Sequence, residues 1–188
     1  MTELPADCTG RYGYMGTRDV EFLRWAANSP LDGALLNIGC YRGLSCSVLA
    51  TIAGTMNRGP LVCVDPFLEA YGQSVLAPDP PAPYEEWDAN MRACNVRQFI
   101  LHFRQRSGEA LPKLLERGMS FRLIFVDGSH DERDVLEDMR NSWPLLRPGG
   151  LLVLDDWVGF EGVKRAAIQA RGDRWAPCGD KMAYTLKV

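Results

Sequence analysis

The chain has 188 residues, a net charge of −3, a pI near 5.4, and 24% charged against 46% hydrophobic residues. That length fits one domain around one core, and the balance is that of a soluble globular protein and not of a disordered or fibrous one. The acidic excess gives no general attraction for phosphate backbones, no apolar run of about 18 residues offers a membrane span, and the start Met1 to Asp7 lacks a basic-then-apolar leader, so neither nucleic acid nor membrane is an expected partner and the cytoplasm is the expected address.

Residues 1 to 16 have no period and read as an irregular arm, with Tyr12 and Tyr14 placed at the surface ahead of any pocket. Thr17 reads as the cap of a helix with Asp19 and Glu21 in its first turn and Val20, Phe22, Leu23 and Trp25 on its apolar side, ending at Asn28-Ser29-Pro30. Ala34 to Ile38 is the short, near-continuous apolar run of a buried parallel strand, with Asn37 its one polar member. It breaks into Gly39-Cys40-Tyr41-Arg42-Gly43, after which Leu44, Val48, Leu49 and Ile52 recur at helical spacing. Strand, glycine loop and helix in that order make a candidate cradle for a flat, polar cofactor, because glycines let the chain turn sharply and a ligand come close.

A second strand, Leu61 to Val64, ends at Asp65, which lies 22 residues beyond Gly43. An acid about 20 residues on in a nucleotide-binding βαβ unit accepts hydrogen bonds from a ribose; a turn cap is the competing reading. Residues 66 to 84 contain Pro78, Pro80, Pro81 and Pro83, a density that excludes helix and central strand. Leaving from the ligand edge of the sheet, the segment reads as a lid or specificity loop, with plain surface disorder as an equal competitor.

Tyr84 to Cys94 reads as a short helix carrying Trp87 and Met91, and Phe99 to Phe103 as the third strand. Arg106 to Glu109 opens a helix with Ala110, Leu111, Leu114 and Leu115 inward and Gly118 closing it. Ser107 is read as its cap, at an edge from which it can also reach an adenine. Phe121 to Val126 is the fourth strand and runs into Asp127-Gly128-Ser129-His130; a helix burying Val135, Leu136, Met139 and Trp143 follows. Pro144 to Gly150 reads as a turn, and Leu151 to Leu154 as the fifth strand, ending at Asp155-Asp156-Trp157. A helix from Glu161 to Ala170 precedes two closing strands, Asp173 to Pro177 and Met182 to Val188, antiparallel because their connection is short. The pattern predicts a single doubly wound α/β domain with a mostly parallel seven-stranded sheet and an antiparallel last strand.

The six cysteines show no C-x-x-C spacing and read as reduced, mostly structural thiols. Zinc is not expected, since His102 and His130 are the only histidines and the usual ligand pairs are missing. The carboxylates carry more: Asp65, Asp127, Asp155 and Asp156 all fall at carboxyl ends of predicted parallel strands. Asp127, Asp155 and Asp156 would repel one another strongly without a cation among them. Oxygen ligands favour a hard divalent ion, magnesium most simply, with manganese or calcium as alternatives; the competing reading has Asp155 and Asp156 capping a helix or loop and Asp127 bonding backbone amides. His130 stands three residues beyond Asp127, where an acid–base group would serve a bound hydroxyl, against the competing reading of a structural histidine.

Taken together, the glycine loop, Asp65, Val126-Asp127-Gly128-Ser129-His130 and Leu146-Arg147-Pro148-Gly149-Gly150 through Asp155-Asp156 resemble the class I S-adenosylmethionine-dependent methyltransferases, in particular the metal-dependent O-methyltransferases that tailor macrolide sugars and related natural products. The resemblance, covering roughly residues 34 to 160, implies that Gly39, Cys40, Tyr41, Arg42 and Gly43 hold the methionine end of the cofactor, that Asp65 holds the ribose, and that Asp127, Asp155 and Asp156 hold Mg2+. It implies His130 as catalytic base, with Asp127 beside both cofactor and reaction and a small-molecule hydroxyl as acceptor; a homo-oligomer is compatible with it. The family has an acidic residue where Asn37 stands. Two rivals are a cofactor-binding protein without catalysis and a nicotinamide-dependent oxidoreductase, whose G-x-G-x-x-G fingerprint Tyr41 interrupts.

Overall fold

A computed structural model describes residues 13–67 and 84–188. The segment read as a lid lies, apart from its ends, outside the described residues, as do Tyr12 and most of the N-terminal arm. Seven strands form one sheet in the order β3-β2-β1-β4-β5-β7-β6: β1 (Ala34–Ile38), β2 (Leu61–Val64), β3 (Ile100–Phe103), β4 (Phe121–Val126), β5 (Leu146–Leu154), β6 (Ala176–Cys178) and β7 (Met182–Leu186). The first five run parallel, and β7 pairs antiparallel with both β5 and β6. The expected fold class is therefore the observed one.

Each central strand is buried on both sides, and the alternation of side chains along it divides the core in two. Leu35, Leu61, Cys63, Leu123, Phe125 and Val153 pack under α1 (Thr17–Ala27), α2 (Leu44–Met56) and α3 (Tyr84–Ala93). Leu36, Ile38, Val62, Val64, Ile124, Val126, Leu152 and Leu154 pack under α4 (Ser107–Glu116), α5 (Glu132–Ser142) and α6 (Glu161–Arg171). Arg122 is 1% exposed within β4 and donates to the carbonyls of Ala27 and Gly33, tying the α1–β1 connection to the sheet.

Four local readings need correction. Residue 17 opens α1, whose cap is Gly16, held by its amide donating to Asp19 Oδ2 at 3.0 Å. Ser107 likewise lies inside α4 without capping it; its hydroxyl bonds instead to Asp138 on α5. Residues 146–150, read as a turn, belong to β5: Gly149 and Gly150 exchange backbone bonds with Lys187, and the shift in register opposite Phe121 to Leu123 makes the bulge in which Pro148 is tolerated. Finally, Cys94 is disulfide-bonded, whereas Cys40, Cys46, Cys63 and Cys178 are free thiols; spacing along the chain does not report a pairing that the fold makes.

Candidate active site

Parallel strands present their carboxyl ends on one edge, where the loops after β1, β4 and β5 meet the first residues after β2, Asp65 to Phe67. Gly39 begins the first loop at φ +86°, and a Cβ on it would stand 2.0 Å from the carbonyl oxygen of Asp127. This glycine is thus dictated by the backbone of the β4 loop pressing on the β1 loop, a contact that apolar spacing does not reveal. Gly43, at φ +105°, starts α2 against Met91 and Trp87 of α3. Between them Tyr41 is left-handed at φ 47° and its ring stacks 6.1 Å from Tyr14, while Arg42 ion-pairs with Glu86 at 3.0 Å.

Asp65 holds this loop from the next strand. Its Oδ2 accepts from the amides of Cys40 at 2.7 Å and Tyr41 at 3.3 Å, and its Oδ1 accepts from Phe67 at 2.7 Å. Burial pushes its carboxyl up, and the three amides pull against that. Asn37, buried beneath the loop, donates to the Gly39 carbonyl at 2.6 Å, so it serves the loop from below. Phe67, Tyr84, Trp87 and His102 gather beside Asp65 with ring centroids 5.0 to 5.7 Å apart.

On the other side of the glycine loop the three expected acids converge: one carboxylate oxygen each from Asp127, Asp155 and Asp156 lie within 4.8 Å of one another. Successive strand residues normally point to opposite faces. Asp156 breaks that rule by turning left-handed at φ 54°, and both carboxylates reach Lys181. The Lys181 ammonium sits 2.6 Å from Asp155 Oδ2 and 2.8 Å from Asp156 Oδ1. The cation that the acidic cluster demands is, in this structure, a lysine. Among the described residues no hydrogen-bond donor is aimed at the buried Oδ1 of Asp155.

The protonation pattern follows this geometry. Burial and the carboxylates of Asp155 and Asp156 push Asp127 well above the usual range. Burial raises Asp155 to about 6 against the pull of Lys181. Asp156 is the exception: hydrogen bonds from His130 and Lys181 outweigh its burial and hold it low. Lys181 is driven up, against its own burial, by the acids around it.

Lys181 was not among the residues singled out from sequence, although a signal existed. Because β7 is antiparallel, the residue before it arrives at the edge where the parallel strands end. Asp19 fixes that arrival: fully buried on α1, it accepts from the amides of Asp180 at 2.7 Å and Lys181 at 3.3 Å. His130 stands at the mouth, its side chain 39% exposed, with Nε2 2.7 Å from Asp156 Oδ2 and its ring stacked 3.9 Å from that of Phe160. Ser107 is apart from this cluster, next to the buried Asp138.

Residues 36–157 match the family model described as a methyltransferase domain. No curated protein matches the sequence. Among solved structures the chain is similar to the O-methyltransferase NovP (TM-score 0.74, 15% identity, 90% of this chain and 79% of that one). It is also similar to an O-methyltransferase from Bacillus cereus in complex with SAH (TM-score 0.69, 17% identity, 98% and 84%). A third likeness is to TomG from Streptomyces achromogenes, an O-methyltransferase involved in tomaymycin synthesis, in complex with SAM (TM-score 0.67, 19% identity, 90% and 79%).

Proposed function

The chain belongs to the methyltransferase-domain family, and from that premise we propose that it moves the methyl group of S-adenosylmethionine to a hydroxyl oxygen of a small molecule. The observation that carries the acceptor chemistry is the pairing of His130 with Asp156 beside the acidic cluster, on the same edge as the glycine loop. That the similar structures are O-methyltransferases, two of them with SAM or SAH bound, supports the same reading.

In this reading the loop Gly39 to Gly43 receives the methionine end of the cofactor and Asp65, besides bracing the loop, faces the ribose; Ser107 lies toward the adenine. With Nε2–H of His130 donating to Asp156, Nδ1 is the nitrogen that accepts the hydroxyl proton. Asp156 fixes the ring and stabilises the imidazolium that forms, as a carboxylate does for any such dyad. Phe160 covers one face of that ring and limits its rotation. The loop contributes by alignment of the methyl donor with the acceptor oxygen, since proximity alone supplies a large part of such a rate.

The oxygen donors of Asp127, Asp155 and Asp156, with no donor to Asp155 Oδ1 among the described residues, suit a hard divalent ion such as Mg2+. Bound there, the ion would polarise the acceptor oxygen. Lys181 already pairs with two of these groups, so its ammonium would have to move aside for an ion to be held there.

The test is calorimetric titration with S-adenosylmethionine, S-adenosylhomocysteine and NAD, followed by radiolabelled methyl transfer to a panel of hydroxylated acceptors, with and without chelator. Binding of the first two but not NAD, with label appearing on oxygen, is the expected result. Binding without transfer to any acceptor favours a non-catalytic cofactor-binding protein.

A further inference from the structure

The glycine loop itself, α2 and β2 each send one thiol to a common point. Cys40, Cys46 and Cys63 are at most 3% exposed, and their sulfurs lie within 4.8 Å of one another. Cys46 and Cys63 Sγ are 3.5 Å apart. Three donors around one ion at a metal–sulfur distance of about 2.3 Å are separated by about 4 Å from each other, which this cluster meets without rearrangement of its elements. We propose that the Cys40, Cys46 and Cys63 thiols form a site for a single soft, thiophilic ion of the Cu(I) type.

The chemistry of the surroundings selects that class. Sulfur ligands favour Cu(I) over hard ions, and three donors match a trigonal ion better than zinc, which takes four. The oxygens of the nearby Asp65 are already engaged by the amides of Cys40, Tyr41 and Phe67. Asn37, 0% exposed, places its Nδ2 3.3 Å from Cys46 Sγ and 3.7 Å from Cys40 Sγ. The ion takes the sulfurs as thiolates, so its binding releases the thiol protons to solvent. An ion so held would join the cofactor loop, its following helix and its neighbouring strand. It would thereby couple soft-metal status to the loop that Asp65 braces. The site stands whether or not the chain transfers methyl groups.

The experiment is anaerobic titration of the thiol-reduced, ligand-free protein with Cu(I) in competition with bicinchoninate, read as copper removed from the coloured complex. One equivalent taken up by the parent chain and by C178A, and none by C46A/C63A, is expected. X-ray absorption of the copper-loaded parent should show sulfur neighbours alone. Should the double variant fail to fold, the single variants C40S, C46S and C63S should each weaken uptake at least tenfold. Absence of uptake by the parent, uptake unchanged in these variants, or nitrogen and oxygen neighbours at the copper would each overturn the site.

Discussion

The Lys181 ammonium lies 2.6 Å from Asp155 Oδ2, in a pair whose carboxylate is 2% and whose lysine is 25% exposed. Removing one partner of such a pair leaves the other charge buried and uncompensated. Lys181→Met should therefore lower Tm by several degrees in metal-free buffer, for a loss of about 2 kcal/mol once the lysine's partial exposure is discounted. With the ammonium gone, calorimetry should show Mn2+ or Mg2+ binding at least tenfold tighter than in the parent chain. Equal divalent-ion affinity in the two proteins would mean that lysine and ion do not share the site.

Gly39→Ala should be among the most damaging single changes. The added Cβ would meet the Asp127 carbonyl at 2.0 Å, and the φ of +86° disfavours any side chain. A loss of about 3 kcal/mol or more is expected, read as a lower urea midpoint at unchanged m-value. Since the clash is with backbone of the β4 loop, cofactor affinity should fall together with stability.

What the sequence made legible follows from one regularity: parallel strands end on a common edge. Asp65, Asp127 and Asp155 could be gathered there simply by counting apolar runs. Lys181 escapes because it falls in the short connection of the closing hairpin, and its delivery to the carboxyl edge by an antiparallel strand depends on β7 lying beside β5. Cys40, Cys46 and Cys63 escaped because a spacing rule looks within one element, and these come from three. Asp65 reads from sequence as a ribose acceptor or as a turn cap; three backbone amides engage its carboxylate, and residue type alone does not separate those roles.

The observed bracing contacts and the proposed ribose contact together set the expectation for Asp65→Ala. Loss of a charged acceptor for the ribose and of the brace on the loop should weaken S-adenosylmethionine binding by at least tenfold, about 1.4 kcal/mol. The thermal midpoint should fall as well, because the amides of Cys40 and Tyr41 lose their acceptor. Titration calorimetry showing parental affinity would remove Asp65 from the cofactor site while leaving its bracing role intact.

Asp138 gives a pH test of the fold away from the acidic cluster. Burial raises it to about 7, and Ser107 only partly offsets this. Below about pH 4 the carboxyl is protonated folded or unfolded. Between there and about 7 the folded chain keeps a proton that the unfolded chain gives up, so this group's contribution to stability falls as pH rises and then stays level. Asp138→Asn should remove that slope, raising Tm by ~5 °C at pH 8 and leaving it nearly unchanged at pH 4. Parallel Tm–pH curves for the two proteins would contradict the assignment.

His130 and Asp156 can be separated from a structural pair by comparing two variants. If Nδ1 of His130 takes the acceptor proton, His130→Ala should leave S-adenosylmethionine binding intact and reduce kcat by roughly 10²–10⁴-fold. Asp156→Asn keeps the size of the side chain and the imidazole, but removes the charge that orients the ring at 2.7 Å and stabilises its protonated form. Its kcat should drop less than that of His130→Ala, and the double variant should be no slower than His130→Ala alone, because residues that act as one unit do not add. A merely structural pair predicts the opposite split: earlier melting in both variants, at a parental kcat. Such a result would move proton removal from His130 to Asp127, the acid of the cluster whose carboxyl burial and its two neighbours push furthest above the usual range.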